Sequence, residues 1–345
     1  MSAIVELDRT CPPATHGEIA SINLESARRR AWARFAQDPR RPGAVEVVVD
    51  NERLAAQFLG NLEALDRLKE LAAEFALVDN SFRAALVRAE VASMVHHFAE
   101  ARDHLARAAS MGGPKEEIDR QTLSIDQACG VHLDALLAER HRIAAVSGRL
   151  EDLVPLGALL ADLERFAEAD VVYRRAFYSY DDVSPFPLAW VCFQLGMLWG
   201  ELVPLPDANL AATWYQRAIT YLPGYVKARV HLAEIYTSQD QTAGAEAILL
   251  PALSSRDPEV RWRLADVFAS QKRLEEAETQ LNAARCGFEE LLEKYPLAFA
   301  DHAAEFYANS GSDPRRALEL ARANVANRPT ARAVKQAHAI AREWQ

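Results

Sequence analysis

Glycine is scarce in this chain, with 14 in 345 residues. The glycine-dependent signatures of chemistry are missing with it. There is no GxGxxG opening a βαβ unit, no GxxxxGK[ST] phosphate loop and no GxSxG elbow, and no HExxH occurs either. Cysteine is rarer still. Cys11, Cys129, Cys192 and Cys286 lie far apart without a CxxC, which excludes a disulfide framework or a zinc module. No run approaches ~18 uninterrupted apolar residues, so no membrane span is expected. The opening MSAIVELDRTCPP carries acidic residues and no long apolar core, so no secretory leader is expected either. A reducing, cytoplasmic compartment is the resulting expectation. Positive charge is also in deficit. The formal net charge is -10, which argues against nucleic acid as a partner, because affinity there rests on cations set against phosphates. Arg28-Arg29-Arg30, followed by Arg34, Arg40 and Arg41, is the local exception and reads as the basic end of a solvated helix.

What is present favours helices. Hydrophobic residues make up 50% of the chain and alanine is plentiful, and alanine has the best intrinsic helix propensity. The clearest internal unit is VKARVHLAEIYTSQDQTAGAEAILLPALSSRDP, from Val226 to Pro258. Leu232-Ala233 and Tyr236 mark a first helix. Ala245, Leu249 and Ala252 mark a second, and Pro258 closes the unit. Two helices approach closely only where small side chains face each other, a role expected here for Ala233 and Ala245. The same template fits Leu156-Gly157 with Leu160, Ala169, Tyr173 and Ala176. It fits Leu195-Gly196 with Trp199, Ala211, Tyr215 and Ala218, with extra residues in the turn ELVPLPDAN. It fits Leu264-Ala265 with Phe268, Ala277, Leu281 and Ala284, whose second helix is expected to run on to about Lys294. It also fits Ala303-Ala304 with Tyr307, Ala317 and Ala321, closing at Pro329.

This pattern resembles the tetratricopeptide repeat, at its ~34-residue period. The resemblance implies an all-α, right-handed superhelical solenoid of antiparallel helix pairs. It divides the chain into a flexible arm at 1–17, a degenerate helical-hairpin region at 18–149, a regular array at 150–329 and a capping helix at 330–345. Within the degenerate region, Glu18 to Gln37 and Asn61 to Phe75 read as helices, the second with Leu62, Leu65, Leu68 and Leu71 on a stripe. Glu116 to Val146 reads as a degenerate hairpin. The β-branched run Ala44–Val49 after Pro42-Gly43 reads as an extended connector, with an edge strand as the alternative, before a helix capped by Asp50.

No catalytic set assembles from the sequence, and neither a metal site nor a cofactor is expected. His96 and His97 are adjacent and would point apart on a helix. His97 and His104 are two turns apart, and Cys129 and His132 could share a helix face but lack a second pair. The carboxylate pairs Glu275-Glu276 and Glu289-Glu290 read as solvated faces.

In tetratricopeptide arrays the first helices line the concave surface, so the resemblance implies which side chains face a partner. These are Trp190, Phe193, Gln194 and Met197, then Lys227, Val230, His231 and Glu234, then Trp262, Arg263 and Asp266, with Asp301, His302 and Glu305 following. Exposed rings beside cations suit peptide anchoring. The expected function is a non-catalytic scaffold or adaptor that holds a peptide or helix of a protein partner in this groove. The alternative is a peptide- or ligand-sensing regulatory or accessory subunit of an enzyme complex. Homo-oligomer formation is left open, and a catalytic role seated in the N-terminal half ranks below both.

Overall fold

The computed structural model describes residues 11–343, and every element among them is helical. The N-terminal half comprises α1 (Gly17–Gln37), α2 (Ala44–Leu59), α3 (Glu63–Val78), α4 (Phe82–Met94), α5 (Phe98–Ser110), α6 (Lys115–Cys129) and α7 (Leu133–Ser147). The regular array comprises α8 (Leu150–Asp162), α9 (Phe166–Tyr178), α10 (Pro185–Met197), α11 (Ala208–Tyr221), α12 (Val226–Ser238) and α13 (Thr242–Leu249). It continues through α14 (Pro258–Ser270), α15 (Leu274–Lys294), α16 (Ala300–Ala308) and α17 (Pro314–Asn327), and α18 (Ala331–Glu343) closes it. Each first helix packs on the one that follows it, as the repeat template requires. Leu250-Pro251-Ala252 continue α13 as a 3₁₀ turn, where Pro251 lacks the N–H that an α-helix needs. The extended α15 ends at Lys294, as expected.

Tyrosine set on glycine fixes the spacing inside two hairpins. A Cβ at Gly157 would lie 2.5 Å from the Tyr173 ring, and one at Gly196 would lie 2.4 Å from the Tyr215 ring. Both rings are about 1% exposed. The hairpin turns share a second device. His96, Glu164, Asp240 and Lys272 adopt left-handed backbone (φ 58–61°), each between the two helices of a hairpin. The next residue's N–H then bonds back to the first helix, as in His97 to Ala92, Arg165 to Leu160, Gln241 to Tyr236 and Arg273 to Phe268, at 2.8–2.9 Å. The α4–α5 hairpin thus has the geometry of the array although its sequence matches the template weakly. The α10–α11 connection departs from it. There a π-helical turn, Leu198–Leu202, and the irregular segment 203–207 accommodate the extra residues of ELVPLPDAN.

Ala44–Val49 is the opening of α2, not a connector or strand. Val45, Val48, Val49 and Glu52 recur at helical spacing and are all buried, the valines against Phe35, Leu68, Leu71 and Phe75. Burial of that face outweighs the weaker helix propensity of valine. The cap falls on Gly43 (φ 81°), and Asp50 lies inside the helix, 2.8 Å from Arg53. The basic run is also partly internal. Glu52, 1% exposed, accepts hydrogen bonds from Arg28 (2.9 Å), Arg67 (2.9 Å) and the Trp32 indole (2.8 Å), which joins α1, α2 and α3.

The N-terminal half lies along the starts of the first helices of the array. Phe58 meets Phe186 and Tyr225 edge-on, with ring centroids 5.4 and 4.9 Å apart. Gly60 lies against Val226 and Ser255. Asp66 accepts a 2.5 Å hydrogen bond from Tyr295 and pairs with Lys294 at 3.1 Å. Asn327 donates to the His96 carbonyl at 3.0 Å, and Gly130 lies against Thr330. Of the expected flexible arm, residues 1–10 lie outside the described residues. The rest is tied down, since Thr15 N–H donates to Val183 and Tyr221 donates to the Pro12 carbonyl. The capping helix α18 covers the last hairpin with Ile340, Ala337 and Ala341.

Two stability measurements test this scheme. Gly157→Ala forces a Cβ into the Tyr173 ring and should cost about 1–3 kcal/mol in chemical denaturation. Glu52→Ala leaves Arg28 without its buried partner and should cost about 3 kcal/mol at neutral pH. Burial alone would raise the Glu52 pKa, but hydrogen bonds from Arg67, Arg28 and Trp32 outweigh it and hold the carboxyl below its ordinary 4.5. A depressed folded pKa contributes stability above pH 4.5 and loses it as pH falls through the folded value. The gap between wild type and Glu52→Ala should therefore narrow in acid.

Candidate functional site

The groove residues expected from the repeat register separate into two groups. Trp262 is fully buried, with its ring against Phe288 and Phe306 and its Nε1 donating to Ser310 at 2.9 Å. Val230 is buried in the hairpin core, and Met197 and Phe193 are also buried. Phe193 packs against Tyr215, Tyr225 and His231. Trp190 is half-buried against the same core. Phe193 and Trp262 are interior, which corrects the expectation that they face a partner, whereas Trp190 keeps part of its surface open. Hydrophobic area on a first helix is needed between neighbouring hairpins before any remains for a ligand.

The polar members stay within reach of solvent and form a strip on α12, α14 and α16. His231 and Glu234 share one face of α12 at i, i+3. The His231 Nδ1 lies 2.7 Å from Glu201 and 3.4 Å from Glu234. Arg263 bridges Glu234 and Glu305, the latter at 3.2 Å. Asp266 accepts from Ser310 at 2.6 Å, and Gln194 accepts from Tyr173 at 3.4 Å. Arg332, on α18, reaches across the concave side to Glu201 at 3.4 Å.

Beside this strip, where α2 and α3 meet the starts of α12, α14 and α16, lies a cavity of about 460 Å³. Its apolar wall includes Leu62, Leu65, Met94, Val226 and Phe299, and its polar wall includes Gln57, Lys227, Asp257, Glu259, Asp301 and His302. The acids sit where helix N-termini converge, a favourable place for negative charge. Asp257 caps α14 by accepting from the Glu259 N–H at 3.0 Å. His302 Nδ1 lies 2.5 Å from Glu259, and Arg328 pairs with Asp301. Lys227 and Gln57 make no hydrogen bond or ion pair with any described residue, so both remain available to a ligand.

Charge pairing sets the protonation of this wall. The Glu259 carboxylate pushes His302 up to about 9, although burial opposes it. Burial raises Glu259, but His302 more than reverses this. Burial, then the Glu259 charge, lifts Asp257 to about 6. Burial, with Arg328 nearby, lowers His96 to about 4, so its neutral ring donates from Nδ1 to the Leu297 carbonyl at 3.1 Å.

The remaining histidine and cysteine pairs do not form sites. Cys129 ends α6, whereas His132 follows it in left-handed backbone (φ 55°), so they share no helix face. His97 and His104 both approach Glu100, at 3.3 and 3.4 Å, on an exposed turn of α5.

No family description and no curated protein matches the sequence. Among solved structures, the APC/C hetero-tetramer Cut9–Hcn1 superposes with a TM-score of 0.52 at 15% identity, over 79% of this chain and 52% of that one. The fold is of the tetratricopeptide type. This chain spans about half the length of that protein. The C-terminal part of a TPR repeat-containing protein from Cytophaga hutchinsonii aligns over 85% of this chain and 97% of its own, at 15% identity and a TM-score of 0.32. A human IFIT1 dimer with PPP-AAAA aligns over 88% of this chain and 71% of its own, at 16% identity and 0.39. The last two scores are too low to bear on function. No helix among the described residues is long and apolar enough to cross a membrane.

The His302–Glu259 pair makes stability depend on alkaline pH. A histidine whose pKa rises from 6.5 to about 9 on folding contributes fully below pH 6.5, and the contribution is lost as pH rises through about 9. Wild type should lose stability over that window relative to His302→Gln, as read by denaturant midpoints at pH 6, 8 and 9.5.

Proposed function

We propose that this protein is a non-catalytic binding scaffold that takes a short peptide segment of a protein partner into the cavity between its two halves. The cavity carries this reading. Its volume of about 460 Å³ falls within the range of roughly 300–1,000 Å³ usual for ligand pockets, and both apolar and polar side chains line it. Glu259 is matched by His302, Asp301 by Arg328 and Arg53 by Asp50, while the Lys227 ammonium, whose charge also acts on Asp257, and the Gln57 amide are placed to select the ligand. Lys227 suits a peptide carboxylate, and Gln57 suits the donors and acceptors of a peptide backbone. Apolar side chains of the same segment would rest on Leu65, Met94 and Phe299. The polar strip from Gln194 through His231, Glu234, Arg263 and Asp266 continues the concave surface and would contact the flanking part of the partner. The net charge of -10 favours a peptide over a nucleic acid.

Selection from a displayed library of random peptides tests the reading. Wild type should enrich sequences with an acidic group beside apolar residues. Lys227→Ala should bind the selected peptides about 10-fold more weakly with unchanged helicity, the scale of one lost charge-assisted hydrogen bond. Failure to enrich any peptide, or equal binding by Lys227→Glu, would sink the assignment.

A further inference from the structure

The π-helical turn after α10 places Glu201 opposite the His-x-x-Glu pair of α12. π turns are rare and often mark functional positions. Glu201, His231 and Glu234 each offer one ligand atom, and these atoms all lie within 4.8 Å of one another. The His231 Nδ1 stands 2.7 Å from one carboxylate and 3.4 Å from the other, so a single ring nitrogen is shared between the two. Bonds of about 2.0–2.2 Å to a shared ion hold neighbouring ligand atoms about 3 Å apart. The two His231 distances match that spacing, and the three ligand atoms are close enough together to turn toward one centre.

A separate observation points to the same place. Tyr215, on α11, is 1% exposed, and its hydroxyl makes no hydrogen bond of good geometry although it lies against the Glu201 carboxylate. A buried hydroxyl left unsatisfied costs about 1–3 kcal/mol. The Tyr215 ring stacks on His231, with centroids 5.5 Å apart and planes at 20°, and its hydroxyl lies beside the Glu201 carboxylate. Arg332 lies on the second oxygen of Glu201, and Arg263 holds the second oxygen of Glu234. These guanidiniums fix the rotamers of both carboxylates and leave their inner oxygens turned to His231, as outer partners do around bound metals.

We infer that Glu201, His231 and Glu234, with the Tyr215 hydroxyl completing the shell, form a binding site for a divalent transition-metal cation of the zinc type. One imidazole with two carboxylates suits zinc, manganese or cobalt better than calcium or magnesium, which take oxygen ligands almost alone. The site lies on the concave strip beside the cavity, and its existence does not depend on the peptide-binding reading. A bound ion would lock the π turn to α12, and so set the position of α10 against the strip.

Zinc chloride titrated into the full chain after chelator treatment is the test, with stoichiometry counted by elemental mass spectrometry. One zinc per chain at micromolar affinity or tighter is expected. The double variant Glu201→Gln, Glu234→Gln should bind at least about 100-fold more weakly, and Tyr215→Phe, which keeps the ring, a few-fold more weakly. The double variant His97→Ala, His104→Ala should bind like wild type, which separates this site from the histidines around Glu100. Acylation of histidines in the wild-type chain, mapped by peptide mass spectrometry, gives a readout that needs no variant. Zinc should protect His231 and leave His97 and His104 reactive. Absence of zinc binding at 100 µM, loss of binding only on removal of His97 and His104, or acylation of His231 unaffected by zinc each overturns the proposal. In any of those cases the cluster is a histidine held between two glutamates and no more.

Discussion

A tyrosine ring lying directly on a glycine sets the scale of this structure. Where Tyr173 meets Gly157 and Tyr215 meets Gly196, no side chain separates ring from backbone, and the paired helices close to the distance the repeat needs. Each hairpin then presents apolar area on both sides, which only a neighbouring hairpin can cover. That demand takes Trp262, Phe193 and Val230 into the interior and leaves the concave surface polar. The same close pairing brings the starts of α12, α14 and α16 into a row against which α2 and α3 dock. The cavity is the space that remains between that row and the N-terminal half.

The array was legible in the sequence because its signal is periodic and local. Alanine, glycine and aromatic positions recur at fixed spacing, and the structure places them at the predicted contacts. The opening of α2 was misread because β-branching suggests extended backbone, whereas Val45, Val48 and Val49 also follow a helical period that the burial of that face decides. The α4–α5 hairpin escaped the template because its turn relies on backbone shape. His96 does there what Glu164, Asp240 and Lys272 do elsewhere, and four different side chains share one left-handed conformation without a common residue type. Glycine would adopt that conformation with less strain, so its absence hid the turns.

The candidate sites were half legible. Register on the first helices groups His231, Glu234 and Arg263, which ion pairs join in the structure. It does not show that the N-terminal half supplies Gln57, Leu62 and Leu65 to the cavity wall, because those contacts cross most of the chain. Nor does it show Glu201 beside His231, since the π turn that aims it comes from an insertion that breaks the period. The insertion in ELVPLPDAN was itself visible. An irregular unit inside a regular array was the one available signal, and it marked a place where side chains converge.

The contact of Asp66 with Tyr295 joins residues 229 positions apart in a type of fold whose contacts usually link near neighbours only. Solenoids of purely local contacts can begin folding in any repeat and spread from there. A chain that must also bring distant segments together bears a loop-closure entropy that grows slowly with length, and a higher contact order slows folding. Here the closure between the N-terminal half and the row of first helices is such a step, and the cavity exists only once it is made.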